Sequence, residues 1–210
     1  MIRVIIADDH AIVRQGLKQI LSETNNISVT GEAETGLQAI KIVRETTFDV
    51  MLLDISLPDR SGIEVLKQIK KEQPKLTVLM LSMHTEHEFA VRALKAGASG
   101  YLNKQSAPSQ LVTAIRQVAT GKKYISAALA QELANTLGQD RDKPLHEILS
   151  DREFQTLCLI AAGKTPSDIS TELCLSPKTI SVYRSRLLEK LKLANNSELT
   201  RYAIRNHLVD

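Results

Sequence analysis

Five polar residues occupy one kind of place in the chain: Asp8 and Asp9, Asp54, Ser82 and Lys104 each stand where a short apolar run ends. Carboxylates gathered at one spot repel, and two unit charges 4 Å apart do so by about 4 kcal/mol at an effective dielectric near 20. Such a group calls for a cation. Oxygen ligands with open positions suit Mg²⁺, which keeps several waters and favours sites that also hold phosphate. A carboxylate beside a divalent ion and an ammonium can act as nucleophile in phosphoryl transfer, because metal and lysine neutralise charge on the transferred group. Asp54 stands alone at its position and is the candidate nucleophile. Asp8 and Asp9 are paired and better suited to holding metal. One aspartate at a strand end reads as a loop cap; the whole set at successive ends reads as a site.

The elements that would position these residues follow from hydrophobic patterning. Runs at Ile2–Ala7, Ile27–Ala33, Phe48–Leu53, Leu76–Leu81 and Ser99–Leu102 are rich in Val, Ile and Leu, as expected of strands buried on both faces. Between them apolar residues recur at helical spacing, as in Val13, Leu17, Ile20 and Leu21, or Ile63, Leu66 and Ile69. This alternation predicts an α/β domain with a doubly wound parallel sheet and right-handed crossovers. Ligands in such sheets bind at the carboxyl ends of the strands, near the point where strand order reverses.

The 210 residues carry 43% hydrophobic content and a net charge of +3, which excludes a disordered chain and leaves room for two modest cores. Met1 to Ile6 lead straight into Asp8, with neither a signal-peptide pattern nor a membrane-length apolar stretch, so a cytoplasmic protein without a membrane partner is expected. Cys158 and Cys174 have no metal-ligand neighbours and are expected to be buried small hydrophobes. His84 and His87 are expected on exposed surface. Residues 1–121 form the predicted first domain. Residues 122–147 are a linker with a short Ala-rich helix from Ser126 to Leu137, followed by the polar Gly138–Pro144. Residues 148–210 form a second domain with helical patterns at Asp151–Ala162, Pro166–Leu173, Pro177–Leu191 and Ser197–His207.

In that second domain Thr165-Pro166 and Ser176-Pro177 each set a cap before a first-turn proline, and Leu173-Cys174-Leu175 is a connection short enough for a helix-turn-helix. From Pro177 to Leu193 five basic residues, Lys178, Arg184, Arg186, Lys190 and Lys192, face a single acid, Glu189. Ile180, Leu187 and Leu191, joined by Leu188, form an inward face. Lys178, Ser181, Val182, Ser185 and Glu189 lie opposite, so this helix is the candidate for the major groove of double-stranded DNA. Lys178, Thr179, Tyr183, Arg184 and Arg186 read as phosphate contacts, and the short Ser181, Val182 and Ser185 point where base edges would be.

Residues 1–121 resemble the receiver domain of two-component response regulators, through Ile6-Ala7-Asp8-Asp9-His10, Leu52-Leu53-Asp54-Ile55-Ser56-Leu57-Pro58 with Gly62, Leu81-Ser82, and Gly100-Tyr101-Leu102-Asn103-Lys104. The resemblance implies that Asp54 is the phospho-acceptor, that Asp9 ligates Mg²⁺ directly and Asp8 through water, and that the Ser56 carbonyl completes the protein ligands. Ser82 and Tyr101 are then the switch pair, the hydroxyl moving toward the phosphoryl group as the ring turns inward. Met83 stands where many receivers carry a small residue and would narrow the approach to the site. Gln105 stands where a proline often follows the lysine, so no cis bond is expected. Apart from accepting phosphate and slowly losing it, the chain is not expected to be an enzyme. A phosphatase of the haloacid dehalogenase type would need a carboxylate where Ser56 stands.

Ile148 to Val209 is similar to the LuxR-type output domain, through Leu149-Ser150-Asp151-Arg152-Glu153, Ala162-Gly163-Lys164, Leu175-Ser176-Pro177-Lys178-Thr179-Ile180, Leu188-Glu189-Lys190-Leu191 and Tyr202-Ala203-Ile204-Arg205. The combination is identified as a member of the NarL/FixJ class, most similar in pattern to the GacA/UvrY branch. The implied fold is a flavodoxin-like (βα)5 receiver followed by an all-α four-helix LuxR-type helix-turn-helix domain. The implied partners are a cognate sensor histidine kinase, double-stranded DNA and a second copy of the chain, paired on DNA through the last helix with Leu199, Tyr202, Ala203 and Ile204, some of which core packing accounts for.

Overall fold

The computed structural model describes residues 1–83, 87–126, 130–131 and 144–209, with the side chains of 87 and 88 left aside. The chain divides into two compact units, Met1–Leu137 and Gly138–Asp210. The greater part of the expected 126–137 helix, the polar run after it and the His84 and His87 side chains lie outside the described residues.

The first unit alternates β1 (Ile2–Ala7), α1 (Ala11–Ser22), β2 (Ile27–Ala33), α2 (Gly36–Glu45), β3 (Val50–Asp54), α3 (Gly62–Glu72), β4 (Thr77–Ser82), α4 (His87–Lys95), β5 (Gly100–Asn103) and α5 (Pro108–Ala119). All strand pairs are parallel, in the order β2-β1-β3-β4-β5. The chain therefore leaves β1 in one direction to reach β2 and returns to the other side to form β3, which makes the gap after β1 and β3 the reversal point of the sheet. Side chains alternate across a strand: Val4, Ile6, Val50, Leu52, Leu79 and Leu81 pack with Leu111, Ile115 and Val118 of α5, while Ile5, Met51, Leu53 and Met80 are buried as well. Both faces are covered, which is why β1, β3 and β4 read as continuous apolar runs.

β2 departs from that expectation, since only its two ends, Ile27 and Ala33, are buried. It is an edge strand, and its register against β1 shifts between Val4 and Ile5. β3 begins at Val50 rather than Phe48, and just before it the Asp49 carboxylate accepts the Arg3 backbone N–H at 2.7 Å and ion-pairs with the Arg3 guanidinium at 3.3 Å. Every peptide bond among the described residues is trans. Beyond residue 121, where the linker was expected to begin, Tyr124 still belongs to this unit. It bridges to Gly100 and donates its N–H to the Ser99 carbonyl at 2.9 Å.

The second unit opens with a 3-10 turn, Leu145–Ile148, followed by α6 (Asp151–Ala161), α7 (Pro166–Glu172), α8 (Pro177–Leu191) and α9 (Asn196–Arg205). Ser150 with Glu153 and Thr165 with Asp168 form reciprocal capping boxes, and Ser176 accepts the Thr179 N–H at 3.1 Å. Each satisfies N–H groups that a helix start leaves open, contributing about 1 kcal/mol. Phe154, Leu157, Ile169, Leu173, Ile180, Leu187, Leu191, Leu199 and Ala203 are buried.

One expectation is corrected here. Cys158 is buried, but Cys174 is exposed: it sits just past the end of α7 with φ of 50°, where the chain turns sharply and the side chain is carried outward. Of the α9 residues expected at a dimer surface, Leu199 and Ala203 are interior, and only Ile204 stands largely exposed, at 52%. The Tyr202 hydroxyl accepts the His146 backbone N–H at 3.0 Å, tying α9 to the 3-10 turn.

Candidate functional site

Because β1, β3, β4 and β5 run in one direction, their last residues share one rim. Asp8 follows β1, Asp54 and Ser82 end β3 and β4, and Lys104 follows β5. Register places Asp54 opposite Leu81 and Ser82 opposite Asn103. Asp8, Asp54 and Ser82 are 0%, 2% and 1% exposed. The Lys104 ammonium lies 2.6 Å from Asp8 Oδ2 and 2.9 Å from Asp54 Oδ2, so one cation is shared by two carboxylates. The Lys104 N–H donates to the Ser82 carbonyl at 2.7 Å, which fixes where that side chain starts.

Burial pushes the Asp54 carboxyl up to about 6; the charge of Asp8 pushes the same way, while Lys104 and the backbone N–H of Ser56 oppose it. For Lys104, burial works against the charged form, but Asp54 and Asp8 together hold its ammonium above the ordinary lysine range. The site is thus short of positive charge by its own residues.

Ligand atoms of Asp8, Asp9, His10 and Asp54 all lie within 4.8 Å of one another. Asp8 Oδ2, Asp9 Oδ1 and Asp54 Oδ2 are buried oxygens; Lys104 lies against those of Asp8 and Asp54, and His10 Nδ1 lies 2.7 Å from that of Asp9. A hard divalent cation fits this donor set. His10 was not among the sequence candidates, although its place directly after Asp9 at a strand end was a signal for it. Ser56 lies two residues past Asp54 and pairs with Ser61 across the loop.

Gly62 makes that loop possible: a Cβ there would sit 1.9 Å from the Asp54 carbonyl oxygen, and the Gly62 N–H donates to the Ile55 carbonyl at 2.8 Å. Tyr101 is interior, at 1% exposure. Met83 is 57% exposed and stands next to Ser82 at the end of β4.

On α8, Lys178, Ser181, Val182, Ser185, Arg186 and Glu189 are exposed, Thr179, Tyr183 and Arg184 half-buried, and Ile180, Leu187 and Leu191 interior, with Leu188 half-buried beside them. The Ser181 and Ser185 hydroxyls donate to the carbonyls of Pro177 and Ser181. Thr179 shares a hydrogen bond with Ser176 at 2.8 Å, and Arg184 donates from Nε to Asn196 Oδ1 at 2.6 Å. Lys190 departs from the basic face read in the sequence: its ammonium meets the buried Glu153 carboxylate at 2.7 Å, so it braces α8 against α6.

The profile of the response regulator receiver domain matches residues 4–116, and that of bacterial regulatory proteins of the luxR family matches residues 147–203. The response regulator UvrY of Escherichia coli K12 is 39% identical over 209 residues, 99% of this chain and 96% of that protein. The response regulator GacA of Pseudomonas aeruginosa PAO1 is 38% identical over 212 residues, 100% of this chain and 99% of that protein. Among solved structures, RcsB from Salmonella enterica serovar Typhimurium bound to promoter rprA with phosphomimetic BeF3⁻ is 29% identical, with a TM-score of 0.64 over 96% of this chain and 97% of that one.

Proposed function

This chain belongs to the two-component response regulators, in which a receiver domain is joined to a LuxR-type DNA-binding domain that regulates transcription, and on that premise we propose that phosphorylation of Asp54 by a cognate sensor histidine kinase controls its dimerisation and sequence-specific DNA binding. The observation that carries this reading is the sharing of one buried ammonium, Lys104, between Asp8 and Asp54. A carboxylate so placed attacks phosphorus as the donor's phosphorus–nitrogen bond breaks, with the electron pair leaving on the donor imidazole. Lys104 follows the charge onto the transferred oxygens. Asp8, Asp9, Asp54 and the Ser56 carbonyl would hold Mg²⁺, which supplies further neutralisation of those oxygens when bound. The Ser82 hydroxyl meets the phosphoryl group from the β4 end, and Tyr101 is its partner in the switch, biasing the domain between two surface states. Ser56 offers no carboxylate to activate water, so loss of the phosphoryl group is slow.

In the second domain Lys178, Thr179, Tyr183, Arg184 and Arg186 contact the DNA backbone, and Ser181, Val182 and Ser185 face base edges. One module of this size buries only about 600–1,000 Å² on DNA, so two copies on neighbouring half-sites are needed for useful specificity. The structure of two RcsB dimers bound to two parallel DNAs, 30% identical, supports a dimer on DNA for this chain. No helix among the described residues is long and apolar enough to cross a membrane, and a cytoplasmic location follows from the proposed partners.

Selection of bound DNA from a random pool, with and without a small phosphodonor, tests the reading. The wild type should bind the selected site more tightly with phosphodonor, and Asp54→Asn should fold but not respond. A response retained by Asp54→Asn contradicts the assignment.

A further inference from the structure

Two loops carry the acidic site: the one after β1, with Asp8 and Asp9, and the one after β3, with Ser56. A third segment, Glu32 to Leu37, leads from β2 into α2 and contributes no member of that site, yet it is bonded to both. On one side stands Arg14, 7% exposed. It donates from Nη1 to the Asp8 carbonyl at 2.8 Å, from Nε to Glu32 Oε2 at 3.2 Å, and from Nη2 to Glu34. The Asp8 N–H adds a bond to the Ala33 carbonyl at 3.0 Å.

On the other side Asp59, three residues past Ser56, accepts the opening N–H groups of α2. Gly36 donates to Oδ1 at 2.7 Å and Leu37 to Oδ2 at 2.9 Å. A carboxylate gripping the start of a helix is favoured both by its charge and by the open N–H groups it satisfies. The approach is close: a Cβ on Gly36 would lie 2.6 Å from Val65 Cγ2 and 2.7 Å from Arg60 Cγ. The segment is therefore tied to both loops through charged hydrogen bonds.

We propose that Glu32–Leu37 is a strut that sets the spacing of the two ligand-bearing loops, with Arg14 and Asp59 as positioning residues for phosphoryl transfer at Asp54. The inference rests on the reading of Asp8, Asp9 and Asp54 as a Mg²⁺ site. Mg²⁺ demands near-octahedral geometry at about 2.0–2.1 Å, so loosening the loops should register in affinity for the ion before it registers in the fold.

The test is calorimetric titration of the full chain with Mg²⁺ alone, for the wild type, Asp59→Ala, Asp59→Asn and Glu34→Gln, beside urea unfolding of each protein in chelator. Supporting residues behind metal ligands typically set about 10-fold or more in affinity, and a loss of about that size is expected for Asp59→Ala. Asp59→Asn keeps one acceptor and should recover part of it, and Glu34→Gln should show a smaller loss from the Arg14 side. Equal Mg²⁺ affinity in wild type and both Asp59 variants, whatever happens to the unfolding midpoint, overturns the strut. No uptake by the wild type overturns the metal reading and the strut with it, a result the wild-type titration alone distinguishes.

Discussion

Lys104 Nζ stands 2.9 Å from Asp54 Oδ2 with both side chains nearly enclosed, at 7% and 2% exposure. Exposed ion pairs contribute little, but removing one partner from an enclosed pair leaves an uncompensated buried charge. Lys104→Met keeps the length of the side chain and removes the charge, so Asp8 and Asp54 then face each other without a cation. In chelator at pH 7 this variant should lose about 3–5 kcal/mol of stability in urea unfolding, and Mg²⁺ should restore part of it. An unchanged midpoint would mean that the ammonium does not compensate these acids.

The raised Asp54 carboxyl makes a prediction about pH. Its folded value, about 6, lies above the ordinary 3.8, so the folded protein holds this proton more tightly than the unfolded chain. The stability it contributes is fully present below about pH 4 and lost as pH rises through 6. In chelator at pH 7.5, Asp54→Asn should therefore be more stable than the wild type, by an amount on the order of 1–3 kcal/mol, and the difference should shrink toward pH 4. Parallel unfolding curves across that window would argue against a buried, charge-strained Asp54.

Gly62→Ala should fail at a defined place. The added carbon would meet the Asp54 carbonyl oxygen at 1.9 Å, and backbone cannot yield as a flexible side chain does. Overpacking of this kind costs about 1–3 kcal/mol or more. Because the obstructed atom belongs to the proposed nucleophile, labelling by a small phosphodonor should fall even at temperatures where the variant remains folded by circular dichroism.

On α8, Lys178 and Lys190 should separate. Lys178 is exposed, whereas Lys190 is held by the buried Glu153. Lys178→Ala should weaken DNA binding for all sequences alike and reduce the salt dependence by about one phosphate contact. Lys190→Ala should leave that slope unchanged and lower the thermal midpoint of the second unit. Equal salt slopes for the two variants would return Lys190 to the DNA face.

At the mouth of the acidic site, Met83→Ala should be labelled faster by small phosphodonors than the wild type, since Met83 stands beside Ser82 on the rim. Stopped-flow comparison at saturating Mg²⁺ measures it. Equal rates would show that the exposed thioether leaves the approach open.

The sequence revealed elements and their faces better than the partners of individual side chains. Apolar runs located all the strands of the sheet, β1 and β2 to the residue, and parallel connection alone predicted that Asp8, Asp54, Ser82 and Lys104 would gather on one rim. Periodicity likewise assigned Ile180, Leu187 and Leu191 to the interior of α8. What it could not assign were other pairings between residues far apart in the chain: Arg14 on Glu32, Asp59 on the start of α2, Glu153 on Lys190. Local pattern says which way a residue points, not what it meets there. Cys174 shows the converse limit, because its left-handed backbone just past a helix end, which local hydropathy does not reveal, leaves it exposed.

The central claim, that Asp54 carries the phosphoryl group, is tested most directly by peptide-resolved mass spectrometry after incubation with Mg²⁺ and a small phosphodonor. One phosphoryl group on the peptide containing Asp54, lost in Asp54→Asn and absent in chelator, is the predicted result. A label on any other residue, or one that survives Asp54→Asn at the wild-type level, would contradict it.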